Sequence, residues 1–357
     1  MSYPRLEIMV SPLLRNMVRL LEKGRERSTE TVAVTKGFCA DRKIVELLWE
    51  AGYAKFADAN LDNLLRLRRI FGNRVELQLI RMPMCSELAR LVEADVVPHV
   101  SHKEILEHLS VLSHRRKKVT PVILSVEAGD GREGFLPEEI LEERTFLKTL
   151  EGIRVNGLST TLACLSGVLP QPPVIERLRK LRDELSDAAG PPEFKISVGG
   201  TTFLSLWEGA AAPEAVDEIR CGEAWLFGTD ISRKKSFAWL EQDTFFLSAE
   251  IVEVKSKNPA ETAVRGYDAF GRTAGERRFR TSGKRALAAC GLQDVDETQL
   301  YLLDDHVKIV GATSNYLVLE VSRNASPVTP GCIIRFRAGY GTVLRAFLSP
   351  YVDKVYL

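Results

Sequence analysis

Thr31-Val32-Ala33-Val34-Thr35 and Ala54-Lys55-Phe56-Ala57 are two short β-favouring runs, and the residues between them read as one helix. Ile44, Val45, Leu47, Leu48 and Ala51 share a helical face; Asp41 stands where an N-cap belongs and Gly52 where the helix should stop. A strand, a capped helix and a second strand form the unit from which parallel sheets are built. The unit then recurs. Further β runs lie at Val75–Ile80, Asp95–Val100, Val119–Val126, Ile153–Thr160, Phe194–Val198 and Asp217–Arg220. Ser101-His102-Lys103-Glu104 reads as a capping box opening a helix that buries Ile105, Leu109 and Leu112. Eight strands alternating with helices over residues 31–236 predict an α/β fold, a (β/α)8 TIM barrel. A doubly wound open sheet is the competing arrangement, but Lys36-Gly37-Phe38-Cys39 is not the Gly-rich first turn it calls for.

Beyond residue 236 the texture changes. Phe245–Val254, Lys284–Cys290, His306–Val310, Tyr316–Val321 and Gly331–Arg337 are β-like runs punctuated by turn residues, without helical periodicity. Residues 237–357 are therefore expected to form an all-β C-terminal domain. Residues 1–30 hold a strand-like Leu6–Val10 and a helix around Leu13–Leu21, and that strand could pair with either domain.

Composition fits this layout. The chain has 357 residues, 45% hydrophobic and 27% charged, with 25 Gly and 16 Pro, which excludes collagen-like, coiled-coil and disordered chains. Its net charge of +1 supplies no field for nucleic acid or an anionic membrane. No apolar stretch is long enough to span a bilayer, and the N-terminal residues lack the order of a secretion signal. Cys39, Cys85, Cys164, Cys221, Cys290 and Cys332 are scattered singly, as suits a reducing, cytoplasmic location. Only His99 and His102 lie close in sequence, and capping or surface roles suit that pair better than a metal.

Barrel enzymes place their chemistry at the carboxyl ends of the strands, which turns the strand map into a residue list. Lys36 ends the first strand, Arg81 follows the third, and Arg132 follows the fifth after Glu127-Ala128-Gly129-Asp130-Gly131. Thr160-Thr161 end the sixth strand, Gly199-Gly200-Thr201-Thr202 follow the seventh and Arg220-Cys221-Gly222-Glu223 the eighth. Lys36 is expected to begin inside the barrel, where burial would make it a nucleophile; otherwise it snorkels to the rim. Gly199 to Thr202 offer backbone N–H groups and two hydroxyls, a phosphate cradle in the position such barrels often use, although most such turns merely cap a helix. A lysine and a phosphate cradle together suggest pyridoxal 5′-phosphate.

At this point the chain resembles the alanine racemase type (fold type III) of pyridoxal-phosphate enzymes, most closely the alanine/ornithine racemase branch. The resemblance covers nearly the whole chain. It rests on Val34-Thr35-Lys36-Gly37-Phe38-Cys39, Gly129-Asp130-Gly131-Arg132-Glu133-Gly134, Ile219-Arg220-Cys221-Gly222-Glu223-Ala224, Tyr267-Asp268-Ala269-Phe270-Gly271 and Gly291-Leu292-Gln293-Asp294-Val295-Asp296.

It implies that Lys36 carries the cofactor and acts as base on one face of the substrate, and that Arg220 faces the pyridine nitrogen. On the residues alone, the alternative is a rim arginine paired with Glu218 or Glu223. Gly200, Thr201, Thr202, Gly222 and the backbone of Glu223 match the phosphate-binding positions, Tyr351 would close the phosphate, and Arg132 would steer the substrate carboxylate. Tyr267 matches the second base, contributed by the partner subunit, which implies a homodimer with shared active sites. Two positions depart from the alanine-specific pattern: Thr161 stands where a histidine often backs the cofactor, and Ala40 where a tyrosine is usual. The Thr201-Thr202 pair also replaces Asn-Ser. The roomier pocket implies racemisation of ornithine or another basic amino acid, with Asp58, Asp130, Glu133, Asp268 and Asp294 as candidates to hold a distal ammonium. Alanine or broad specificity, and a non-catalytic cofactor carrier, are the alternatives. The carrier proteins resemble the barrel alone, whereas this chain has a β domain besides. Decarboxylase or aldolase chemistry is disfavoured: such decarboxylases put glutamate where Arg220 stands, and metal ligands for an aldolase are missing.

Overall fold

The strand–helix–strand unit forms as its residues dictate. In the computed structural model, which describes residues 2–189, 194–208, 216–258, 266–271, 283–322 and 327–357, strands Glu30–Val34 and Lys55–Asp58 pair in parallel around helix Arg42–Ala51. The Asp41 carboxylate accepts from the backbone N–H groups of Lys43 and Ile44, and Gly52 ends the helix with a φ of 107° that only glycine takes easily. Ile44, Val45 and Leu48 are fully buried.

The remaining strands, Glu76–Leu79, Val96–Val100, Thr120–Ser125, Ile153–Thr161, Lys195–Gly199 and Glu218–Cys221, continue the parallel sheet until it closes. Closure is made by the first strand against the eighth, with Val32 opposite Arg220 and Ala33 opposite Cys221. The chain divides into two compact units, Leu13–Gln242 containing this barrel, and Met1–Pro12 with Asp243–Leu357. Within the barrel unit the fully buried Asn16 amide donates to the Trp225 and Glu241 carbonyls, pinning the N-terminal helix.

The helix after the fourth strand differs from expectation. It spans Lys103–Arg115 with His102 as N-cap, no side chain makes a capping bond, and Leu106, Leu109, Ser110 and Ser113 are buried while Ile105 and Leu112 are only partly so. The Ser101–Glu104 capping box is not formed, because the His102 ring pairs instead with Glu104 at 2.5 Å. His99 is not a surface residue either. It points into the barrel, where Nδ1 meets Ser159 Oγ at 2.9 Å and Nε2 meets Gln78 Oε1 at 3.3 Å. Below it Gln78 donates to Glu218, and Lys55 donates to Glu218 and to Glu30.

This buried column makes a prediction. Burial, reinforced by the Arg220 charge, holds the His99 pKa well below its ordinary 6.5, so the folded protein keeps the ring neutral. The unfolded chain binds that proton once pH falls below 6.5, and stability drops with it. This one group should cost up to about 1.4 kcal/mol per pH unit on acidification. Thermal midpoints recorded from pH 7 to 5 should show a shallower acid slope in His99→Gln than in the wild type; equal slopes contradict it.

The β unit is antiparallel apart from one edge. Its path runs Leu300–Leu302, Ile333–Ala338, Phe245–Lys257, Gly283–Ala288, Leu317–Val321 and Val307–Ala312. Strand Arg5–Ile8 resolves the question left by the sequence: it pairs antiparallel with Phe245–Ser248 and parallel with Asp353–Tyr356. Alternating side chains Phe245, Leu247, Ala249 and Ile251 fill the core with Phe336 and Ala338. One expectation fails. Tyr340–Leu348 is a helix in this otherwise β unit, burying Thr342, Val343 and Ala346. No helix among the described residues is long and apolar enough to cross a membrane.

Candidate active site

Parallel pairing brings the carboxyl ends of all eight strands to one end of the barrel. There Lys36 opens a 3-10 turn, Lys36–Phe38, and it is exposed, as in the second of the two readings of its position, not buried. The strand ends at Val34, and Cys39 and Ala40 turn the chain through left-handed φ values of 53° and 47°. The turn is rigid all the same. Thr35 Oγ1 donates to Asp58, and the buried Phe38 ring stands edge-on to Trp225 at 5.5 Å. Gly222 lies against the same strand; a Cβ there would sit 3.3 Å from Val34 Cβ. The lysine turn and the Gly222 turn are thereby packed together.

Arg220 sits within the barrel mouth, 3% exposed. Nη1 donates to Ser197 Oγ at 2.6 Å, and Nη2 to the Thr160 carbonyl at 3.0 Å and Thr161 Oγ1 at 3.2 Å. It is therefore not a rim arginine. Burial pulls its pKa down to about 10, partly offset by Glu218, so it stays charged at neutral pH. Gly199 makes room for it, since a Cβ there would stand 2.4 Å from Nη2 and 2.6 Å from Thr161 Oγ1.

Around Gly200, whose φ is 108°, the seventh-strand loop enters a 3-10 turn, Thr201–Glu208. Thr201 Oγ1 accepts from the Ala224 backbone at 3.0 Å. Thr202 Oγ1 is buried with no hydrogen-bond partner, a costly state for a hydroxyl. The Glu223 carboxylate is turned toward Thr229 and the Ile231 N–H; burial, with Asp230 nearby, pushes its pKa up to about 7. Its backbone remains on the Gly222 turn. An orphan hydroxyl beside two glycine turns, an exposed lysine and a buried arginine fit a phosphorylated pyridine aldehyde: hydroxyl and backbone for the phosphate, amine for the carbonyl, guanidinium for the ring nitrogen.

Arg132 is presented by a loop that two carboxylates brace. Glu127 accepts from the backbone of Gly129 and Arg132, while Asp130 accepts from Cys164, Leu165 and Ser166, tying this loop to the one after the sixth strand. Arg132 Nε pairs with Glu133 at 2.5 Å. Arg81, by contrast, is spent on Glu87, which it grips through both carboxylate oxygens.

Of the acidic candidates, Asp58 is buried among Thr35, Asn63 and the Asn60 N–H, and Asp294 accepts from Ser349 in the β unit. Asp268 accepts from the Phe270 N–H in a turn of that unit. Tyr267 and Tyr351 also belong to the β unit, 75% and 67% exposed. Ser159 and Ser197, which line or brace the Arg220 pocket, were not singled out from the sequence, and His99, which lines it too, was read only as a capping or surface residue; the signal for all three was alternation along inward-facing strands.

The family model for the alanine racemase N-terminal domain matches residues 8–230. The chain belongs to the alanine racemase family. It is 33% identical to the lysine racemase of Thermotoga maritima, covering 100% of this chain and 99% of that one. It is 32% identical to the ornithine racemase of Acetoanaerobium sticklandii, over 99% of each. The alanine racemase of Bartonella henselae, solved with covalently bound pyridoxal phosphate, shares the fold with a TM-score of 0.75 at 16% identity, over 100% of both chains. With these full-length relatives in an enzyme family, the chain is an amino-acid racemase.

Proposed function

We propose that this racemase uses pyridoxal 5′-phosphate to interconvert the enantiomers of a basic amino acid, ornithine or lysine. The observation that carries the cofactor assignment is the charged Arg220, fixed by Ser197, Thr160 and Thr161, with Lys36 on the adjoining turn and Thr202 Oγ1 unpartnered. The substrate class is supported by the two full-length relatives named for lysine and ornithine.

Bound here, the cofactor would draw electrons from the substrate Cα and acidify its proton. Lys36 would hold it covalently, then accept and return that proton on one face. Arg220 keeps its own proton at neutral pH, so it would leave the ring nitrogen unprotonated and the electron sink weak, which favours proton exchange over amino transfer. Thr201, Thr202, Gly200, Gly222 and the Glu223 backbone would hold the phosphate, with Tyr351 closing it. Thr161 would orient the Arg220 guanidinium beside the ring. Arg132 would bind the substrate carboxylate, a task suited to a fixed guanidinium fork. Tyr267, from the second subunit of a homodimer, would serve the opposite face.

Chiral chromatography after incubation with L-ornithine, L-lysine and L-alanine in turn tests the reading. D-ornithine or D-lysine should accumulate toward equal amounts of both enantiomers. Turnover of alanine alone would overturn the substrate class.

A further inference from the structure

Resting on that reading, we infer that Glu133 is the specificity residue that receives the distal ammonium of the substrate. It lines the polar cleft at the barrel mouth together with Arg220, Thr161, Ser159 and His99. Its side chain is 27% exposed, so its charge is partly screened from water yet still reachable. Asp58 and Asp130 each face three or more donors, and Asp294 already accepts from Ser349.

Charge balance makes the same choice. Arg220 lines this cleft, Arg132 is ion-paired to Glu133 and its charge is felt at Arg220, so an incoming ammonium would be repelled by the two cations without an anion beside them. Glu133 is that anion: it pairs with Arg132 and its charge is felt at Arg220. A basic amino acid brings one carboxylate and one distal ammonium. It can exchange into the existing ion pair, its carboxylate on Arg132 and its ammonium on Glu133, without leaving either protein charge unpaired.

The test compares ornithine with norvaline, the same chain lacking the distal amine. In the holoenzyme, Glu133→Gln should lower the ornithine-to-norvaline ratio of kcat/KM about 10- to 100-fold, chiefly through the KM for ornithine. Glu133→Asp, which keeps the charge on a shorter arm, should recover part of that ratio. The unreactive 5-aminopentanoate should lose binding, read by calorimetry, by a similar factor relative to pentanoate in Glu133→Gln. The visible absorption of bound cofactor shows that each variant is folded and loaded. A ratio within twofold of wild type, or equal losses on both substrates, overturns the inference while leaving the substrate class standing. A wild type that does not prefer ornithine over norvaline overturns the substrate class and the inference with it.

Discussion

Lys36→Ala should give a folded protein that retains no cofactor through gel filtration and has lost racemase activity by more than about 10⁴-fold. Two functions disappear together, the covalent attachment and the proton relay on one face, which is why no other single substitution should cost more. The fold itself should be untouched: Lys36 is exposed on its turn, and the packing there is carried by Phe38 against Trp225 and by Thr35 on Asp58. Unchanged circular dichroism with no visible cofactor absorption is the expected pairing. Activity within tenfold of wild type would show that another amine does the work.

Tyr267→Phe should keep cofactor and fold yet lose racemisation about 10²- to 10⁴-fold in both directions, the usual worth of one positioned acid–base group. Racemisation needs a proton partner on each face of Cα, and Lys36 can serve only one. In heavy water the variant should still exchange the Cα proton of one enantiomer, the one whose hydrogen faces Lys36, while the other stays unlabelled. Tyr267 is 75% exposed and lies outside the apolar core of its unit, so replacing it leaves no cavity. Racemisation at the wild-type rate would reject this tyrosine; the search would then turn to other groups, such as Cys290 or a carboxylate.

The barrel was legible because several local signals agree. Apolar runs fix the strands, and Asp41 and Gly52 bound the first of the helices between them. The Gly199-Gly200-Thr201-Thr202 and Arg220-Cys221-Gly222-Glu223 segments were legible because barrels put chemistry at strand ends. What sequence could not carry was direction. Nothing local says that Arg220 turns inward onto Ser197 while Arg81 turns outward onto Glu87, because both follow or end an apolar strand. His99 was misread for the same reason: its neighbour His102 suggested a pair, but alternation along the strand sends His99 into the barrel and His102 onto the helix start. Lys36 was read as starting inside the barrel or snorkelling to the rim because its strand is apolar; the strand ends at Val34 and the lysine is exposed. Helix Tyr340–Leu348 was missed because Gly341 in its first turn argues against a helix that tertiary burial of Val343 and Ala346 nonetheless supports.

Borohydride reduction of the cofactor-loaded wild type, followed by mass mapping of the peptides, tests the central assignment most directly. The pyridoxyl label should fall on Lys36 alone. A label on Lys55, Lys195 or any other lysine, or no label at all, would contradict it.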